Sequence, residues 1–151
     1  MLAEPPPDSA IGRPLPPADT QAARFARART RDRSAVAEDY VELIADLLDA
    51  EGEARAVDVA HRLGVTQATV AAAIGRLQRN GLVETRPYRG LFLTDAGRAV
   101  AQAARHRHGV VVRLLLALGL DQATAEADAE GIEHHVSEAT LQAFEKFLEP
   151  K

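Results

Sequence analysis

Six side chains that can ligate a divalent cation stand in this sequence at spacings typical of helix faces. The first two are three residues apart, and the last three follow an i, i+3, i+4 pattern. Residues three or four apart lie on one face of a helix, so each group would direct its donors towards a common point. The six are Asp39, Glu42, His108, Glu130, Glu133 and His134.

The chemistry of this group depends on whether helix packing brings its members together. Four carboxylates and two imidazoles would match two divalent cations, because buried carboxylates without counter-charges are costly. The chain has no cysteine and its single methionine is Met1, so oxygen and imidazole nitrogen would be the donors. Acidic pairs at helical spacing are also typical of solvated surfaces, and the spacing by itself leaves that alternative open.

Charge is unevenly distributed along the chain, although the formal net charge is only −4. Residues 55–98 contain seven arginines and three acidic residues. Residues 37–54 contain seven acidic residues and no basic one, and residues 109–151 contain eight acidic and three basic residues. A basic segment between acidic ones is typical of a DNA-facing surface, and a solvated basic face is the alternative.

The basic segment has the pattern of a winged helix-turn-helix. Thr66 is a good N-cap for a helix over 67–79, and Gly64 supplies the left-handed residue that the preceding turn requires. Two short strands around residues 87–89 would form the wing. The elements predicted for this domain are helices over 37–51, 57–63 and 67–79, and strands over 82–86 and 90–93.

In such a unit the second helix of the motif enters the major groove, with its N-terminal residues at the base edges. The hydrogen-bonding side chains predicted to face the bases are Thr66, Gln67 and Thr69. The side chains predicted to meet phosphates are Arg76, Arg79, Arg86, Tyr88 and Arg89. The recognition helix is otherwise rich in alanine, so DNA shape would carry part of the readout. A winged helix that contacts another protein is the alternative.

The remainder of the chain predicts a tail before this domain and helices after it. Thr94 would cap a long helix to about residue 118, and two further helices would cover about 122–135 and 138–148. Six of the eight prolines lie in residues 1–20, which predicts disorder there. Five arginines follow within residues 24–33, either as a basic arm that touches phosphates or as a solvated lead-in helix. The predicted domains are a disordered Pro/Arg-rich tail over 1–36, the winged helix-turn-helix over 37–98 and a helical domain over 99–151.

Several segments resemble the manganese transport regulators of the diphtheria toxin repressor family. The resemblance covers about residues 37–148, and its most specific part is the segment Glu-Gly-Ile-Glu-His-His over 130–135. Further matching segments are Glu38–Glu42, the helix-turn-helix Val57–Leu77 and the wing Tyr88–Thr94. The resemblance implies a mainly α-helical fold with a small β wing, in which residues 99–151 bind metal and form the homodimer.

The resemblance also implies a function. It implies that the six residues named first hold Mn²⁺, with two ions per subunit and Fe²⁺ as an alternative metal. Family members that sense iron carry Met and Cys at the positions of Asp39 and Glu130, so the hard oxygen donors here favour manganese. The resemblance implies a homodimer that binds a double-stranded DNA operator and represses manganese uptake genes when the metal is bound.

Two other classes of protein share parts of this pattern. A metal-independent winged-helix regulator would leave the carboxylates solvated. An enzyme with a carboxylate-bridged dimetal centre would use similar ligands, but its Glu-x-x-His signature is missing because Gly131 lies three residues before His134. No secretory signal and no membrane span is predicted, so we expect a cytoplasmic regulator without enzymatic activity.

Overall fold

The computed structural model describes residues 14–151, so the first thirteen residues of the predicted tail lie outside it. The predicted fold class is confirmed, with helices in two lobes and a two-stranded antiparallel wing in the first. The elements of the N-terminal lobe are α1 (Ala18–Glu51), α2 (Ala56–Leu63), α3 (Gln67–Arg79), β1 (Val83–Arg86) and β2 (Gly90–Leu93). Those of the C-terminal lobe are α4 (Asp95–Ala117), α5 (Gln122–Ile132), a 3₁₀ helix (Glu133–His135) and α6 (Glu138–Leu148).

The N-terminal part of α1 is helical where the sequence predicted disorder. Because α1 begins at Ala18, the prediction of a disordered segment is wrong for residues 18–36. Those residues contain six alanines and five arginines and no proline, and alanine and arginine are both strong helix formers. The prolines that suggested disorder end at Pro17, which directly precedes the first turn. The first helix is therefore 34 residues long instead of about fifteen.

The helix-turn-helix is built as the sequence predicted. Gly64 ends α2 in the left-handed conformation with φ 69°. The Thr66 side chain caps α3 by accepting a hydrogen bond of 3.1 Å from the backbone N–H of Thr69. The apolar face of α3, with Val70 and Leu77, is buried in a core to which α1 also contributes. This core fixes α3 with its polar face towards solvent.

The wing is attached to the chain that follows α1. β1 and β2 pair antiparallel, with Val83 opposite Leu93. The backbone N–H of Leu91 donates to the carbonyl of Ala54 at 2.8 Å. Gly90 has φ 82°, and a Cβ there would lie 2.5 Å from the Ala54 oxygen, so only glycine fits this close approach.

Helix α4 connects the two lobes through two separate apolar clusters. Ala101, near its N-terminus, belongs to the core of the DNA-binding unit. Val111, less than one turn of helix after His108, packs with Ala125 and Ala129 of α5 in the second core. One rigid helix therefore relates the winged helix-turn-helix to the C-terminal lobe. Across residues 14–151, no helix combines the length and the apolar character needed to cross a membrane.

Candidate metal centre and nucleic-acid interface

The six predicted ligands lie where α1 meets α4 and the 3₁₀ helix. Asp39 and Glu42 come from α1, and His108 comes from α4. Glu130 lies near the end of α5, and the chain then tightens into the 3₁₀ helix that carries Glu133 and His134. The tighter turn places these last two side chains against α1 and α4 instead of in solvent.

Glu133 stands at the centre of the group and is fully buried. Its Oε2 lies 2.5 Å from Nδ1 of His108, and its Oε1 lies 3.4 Å from Nε2 of His134. Burial raises the pKa of Glu133 to about 7, although both imidazoles act in the opposite direction. Among the described residues, Oε1 of Glu133 is the buried side-chain oxygen that has no hydrogen-bond partner. A buried oxygen without a partner is costly, which indicates an atom placed to receive a ligand.

His134 is held from both sides by carboxylates of α1. Its Nδ1 lies 2.6 Å from Oε2 of Glu38, and its Nε2 lies 3.0 Å from Oδ1 of Asp39. The hydrogen bonds with Asp39 and Glu38 raise the pKa of His134 to about 10. Arg107 of α4 lies 2.8 Å from the other oxygen of Glu38. Burial of Glu38 works against its ionisation, yet the bond with His134 and the charge of Arg107 lower its pKa.

His108 is also held between carboxylates, but here Nδ1 is the nitrogen that faces Glu133 and Nε2 is the outer nitrogen. Nε2 lies 2.7 Å from Oε2 of Glu126, while Nδ1 faces Glu133 and lies 3.8 Å from Oε1 of Glu130. Burial disfavours the charged ring, but the hydrogen bonds with Glu126 and Glu133 raise the pKa of His108. One donor atom each from His108, Glu130 and Glu133 can be chosen so that all three lie within 4.8 Å of one another.

Glu42 joins the group through its charge and not through a direct contact with either histidine. It is half-buried, and burial followed by the negative charge of Glu130 raises its pKa. Asp39, Glu42, Asp46 and Glu130 line an open cavity of about 280 Å³ between α1 and α5. The structure thus gathers five of the predicted side chains by direct contact and places the sixth on the wall of this cavity.

Three residues that sequence reasoning missed take part in the site. Glu38 and Glu126 each contact the histidine nitrogen that faces away from Glu133, and Arg107 pairs with Glu38. Glu126 lies four residues before Glu130, a helical spacing that could have revealed it. The pairing of Glu38 with Arg107 joins positions that are far apart in the chain, so no local pattern could have shown it. Carboxylates on the outer nitrogen set the tautomer and orientation of a histidine ligand.

These donors fit a divalent cation. The set contains carboxylate oxygens and imidazole nitrogens without sulfur, the ligands suited to hard or borderline ions. Glu133 turns one oxygen towards each histidine, and the partner-less Oε1 lies in the half of the site formed by His134 and Asp39.

The predicted base-reading side chains lie at the exposed N-terminus of α3. Thr66, Gln67 and Thr69 are all exposed. The hydroxyl groups of the two threonines are 2.9 Å apart, so each limits the rotation of the other. Gln67 is the longest of the three and is free of this arrangement. Gln78, further along α3, donates to Thr85 of β1 at 3.0 Å and holds the wing against the helix.

The predicted phosphate-contacting side chains continue this surface. Arg76 and Arg79 are exposed on the C-terminal half of α3. Tyr88, at the tip of the wing, is 99% exposed and has the positive φ of 64°. Arg89 beside it is exposed, whereas the Arg86 guanidinium lies 4.3 Å above the Phe92 ring. Arg86 is therefore more constrained than Arg89.

Comparison with known proteins finds the same division into two units. Residues 32–91 match a family model described as iron dependent repressor, N-terminal DNA binding domain. Residues 94–150 match the model described as iron dependent repressor, metal binding and dimerisation domain. The boundary between them falls at the end of the wing, where α4 begins.

Close relatives cover most of the chain. The transcriptional regulator MntR of Escherichia coli O6:H1 is 51% identical over 125 residues, which cover 83% of this chain and 81% of that protein. The transcriptional regulator MntR of Salmonella typhimurium is 49% identical over 125 residues, covering 83% of this chain and 80% of its own length.

Solved structures with the same fold include a manganese-dependent transcriptional repressor in complex with manganese. It superposes with a TM-score of 0.68 at 29% identity, covering 74% of this chain and 52% of that one. The manganese regulator SloR superposes with a TM-score of 0.66 at 26% identity, covering 74% of this chain and 53% of its own. The present chain thus spans about half the length of these two structures.

The fold and the site define a DNA-binding winged helix-turn-helix coupled to a helical metal-binding lobe. The chain belongs to the iron dependent repressor family, which confirms the resemblance seen in the sequence. It is therefore a metal-responsive, DNA-binding transcriptional regulator and not an enzyme.

Proposed function

We propose that this chain is a manganese-responsive repressor that binds operator DNA as a homodimer and represses manganese uptake genes when Mn²⁺ is abundant. The observation that carries this proposal is the buried Glu133, whose Oε1 has no partner and faces His134. Relatives named MntR and a manganese-bound repressor of the same fold support manganese as the metal. Because the proposed operator lies on chromosomal DNA, we expect the protein to be located in the cytoplasm.

The proposed ligands are Asp39, Glu42, His108, Glu130, Glu133 and His134. A bound cation supplies positive charge that offsets the repulsion between their carboxylates. Two ions per subunit would balance the charge of the four carboxylates, and Glu133 would help to hold them. Oxygen-rich sites suit Mn²⁺, while Fe²⁺ is the metal against which selectivity has to be measured.

The position of α1 explains how this site could control DNA binding. Tyr40, Val41 and Ile44 of α1 are buried in the core of the DNA-binding lobe. Asp39 and Glu42 leave the same turns of α1 and face the C-terminal lobe. Holding them against His134 and Glu133 therefore fixes the angle between α3 and the C-terminal lobe. A coupling free energy of about 1–3 kcal/mol is usual for allosteric proteins and corresponds to roughly 5–150-fold tighter DNA binding.

Binding to operator DNA as proposed requires a second copy of the chain, so that two α3 helices contact the duplex. The sequence could not divide the apolar residues of α4 and α6 between core and dimer contact. In the structure Val111 and Leu141 are buried, whereas Leu118 is 57% exposed and Phe147 is 59% exposed. These exposed side chains suit a contact between two copies, which would set the two α3 helices about one DNA turn, roughly 34 Å, apart. Changing Phe147 to Glu should then lower the molar mass measured by light scattering from dimer to monomer.

The DNA contacts we propose follow from exposure and charge. Thr66, Gln67 and Thr69 would face base edges at the N-terminus of α3. Arg76, Arg79, Arg86, Tyr88 and Arg89 would meet the phosphate backbone. The few polar side chains at the start of α3 imply that base-specific readout rests mainly on Gln67 and its threonine neighbours.

The decisive experiment is fluorescence anisotropy with a duplex from the DNA upstream of the gene for this chain. Binding is titrated with a chelator, then with Mn²⁺, and then with Fe²⁺ under anaerobic conditions. We expect Mn²⁺ to tighten binding by at least fivefold, as an allosteric coupling of usual size would. Equal binding with chelator and with Mn²⁺ would instead identify a metal-independent regulator. Calorimetry with Mn²⁺ gives the number of ions per subunit.

A further inference from the structure

The N-terminal part of α1 extends beyond the body of the DNA-binding lobe. Residues 22–30 are all exposed, and Ala37 is the first α1 residue that packs against the core. With 34 residues, α1 is about 51 Å long at 1.5 Å per residue. Asp32 lies 3.1 Å from Nε2 of His135, which anchors this part of α1 to the C-terminal lobe. The exposed turns are thus a projecting but anchored helix.

This projecting helix is strongly basic. It carries Arg24, Arg27, Arg29, Arg31 and Arg33. Within residues 14–151, none of these five arginines forms an ion pair, and the acidic neighbour Asp32 is engaged by His135. Uncompensated cationic side chains on one segment attract an anionic partner. The acidic stretch of α1 begins only at Glu38, so the two parts of the helix have opposite charge.

Two of the arginines lie on the side of α1 that faces α3. Arg29 and Arg33 are four residues apart, and the same face continues through Val36 to Tyr40. Arg33, Val36 and Tyr40 line a groove of about 440 Å³ together with Arg76 of α3. The Arg29–Arg33 face therefore continues the basic surface of the recognition helix.

The remaining arginines give a natural comparison. Arg24 and Arg27 lie on the opposite side of α1, given about 100° of rotation per residue. Both are exposed, like Arg29 and Arg33. The two pairs of arginines therefore carry the same charge on the same helix and differ in whether they face α3.

We propose that Arg29 and Arg33 bind backbone phosphates of the duplex that α3 engages, which makes the projecting helix a second DNA-contacting element. The partner is the phosphate backbone of double-stranded DNA, because its regular negative charge complements a row of arginines that continues from Arg76. This inference rests on the proposed DNA-binding function and extends the interface beyond the helix-turn-helix and the wing.

The test compares Arg29→Ala/Arg33→Ala with Arg24→Ala/Arg27→Ala in the full chain. Each protein is titrated with the labelled upstream duplex, and with a shuffled duplex of the same composition, across a range of salt concentrations. Each phosphate contact contributes about 0.9 to the slope of log K against log salt concentration. We expect the first variant to lower the slope by about 1.8 on both duplexes, and the second by less than half as much. A third variant, Arg29→Lys/Arg33→Lys, should keep the wild-type slope.

The outcomes separate this inference from the proposed function. If both alanine variants lowered the salt slope equally, the effect would be one of net charge and the inference would be overturned. An unchanged salt slope in Arg29→Ala/Arg33→Ala would overturn it as well. If the wild type binds the upstream duplex no more tightly with Mn²⁺, the proposed function fails, while the two slopes still report on phosphate contacts. Because alanine favours helix, we expect both alanine variants to fold like the wild type. Circular dichroism verifies the fold, and calorimetry with Mn²⁺ verifies the metal site.

Discussion

The metal centre and the DNA-binding surface of this protein are built in opposite ways. The side chains of the helix-turn-helix and the wing that are predicted to contact DNA come from one continuous stretch, residues 66–89, and are exposed. The proposed metal centre takes side chains from α1, α4, α5 and the 3₁₀ helix and buries Glu133 completely. The first surface can form wherever the local motif folds. The second exists only when the two lobes are correctly packed, and this dependence suits it to control the first.

Removal of a proposed metal ligand should have the largest effect. We expect His134→Ala to abolish the tightening of DNA binding by Mn²⁺, a loss of roughly 5–150-fold, because α1 would no longer be tied to the C-terminal lobe. Anisotropy with chelator and with Mn²⁺ measures this loss. His106→Ala is the matched control, since His106 pairs with Glu145 away from the site. An equal Mn²⁺ response in both variants would exclude His134 as a ligand.

Gly90→Ala should damage the DNA-binding lobe and spare the metal centre. A Cβ at Gly90 would meet the Ala54 carbonyl at 2.5 Å in a left-handed backbone conformation. Such strain costs roughly 1–3 kcal/mol of unfolding free energy, which chemical denaturation would measure. Gly81→Ala is a useful control, because it shares a positive φ but has nothing within 4 Å of its added Cβ. Equal destabilisation by the two would show that the close approach of the wing to Ala54 contributes nothing to the cost.

Loss of Glu126 should weaken the metal centre without destroying it. Glu126 contacts the outer nitrogen of His108, and removal of such a partner typically costs 10–100-fold in metal affinity. Because the Glu126 side chain is 48% exposed, we expect Glu126→Ala to fall near the lower limit, about tenfold. Calorimetry with Mn²⁺ checks this value. Asp128 lies on the opposite face of α5, so Asp128→Ala should bind Mn²⁺ like the wild type. A similar loss of Mn²⁺ affinity in Asp128→Ala would contradict the role of Glu126 in orienting His108.

The smallest effect is expected on the DNA-binding surface. If Arg89 contacts a phosphate as proposed, Arg89→Ala should lower the salt slope by about 0.9 equally for all duplex sequences. Salt titrations with the upstream and shuffled duplexes measure this slope. If the loss were confined to one sequence, Arg89 would read bases instead of phosphates.

Local patterns were sufficient to predict much of this molecule. Thr66 and Gly64 marked the helix-turn-helix because capping and left-handed turns depend on the identity of single residues. A lead-in helix over residues 24–33 was one of two alternatives, but the disordered tail was predicted to reach residue 36 because the prolines before Ala18 dominated the composition, although the alanines and arginines that follow favour helix. Helix propensity acts residue by residue, whereas a composition average over a long window conceals where a helix begins.

For the metal centre, the sequence by itself determined which donors exist and which of them share a helix face. Helical periodicity is local, so the spacing of Asp39 to Glu42 and of Glu130 to His134 was readable without a fold. Only the tertiary structure decided that Glu133 is buried between two histidines and that Glu38 bridges His134 and Arg107. Those contacts join residues distant in the chain, and they form because α1 and α4 pack against each other. The ionisation of this cluster follows from burial and from neighbours on other helices, which is why no sequence pattern contains it.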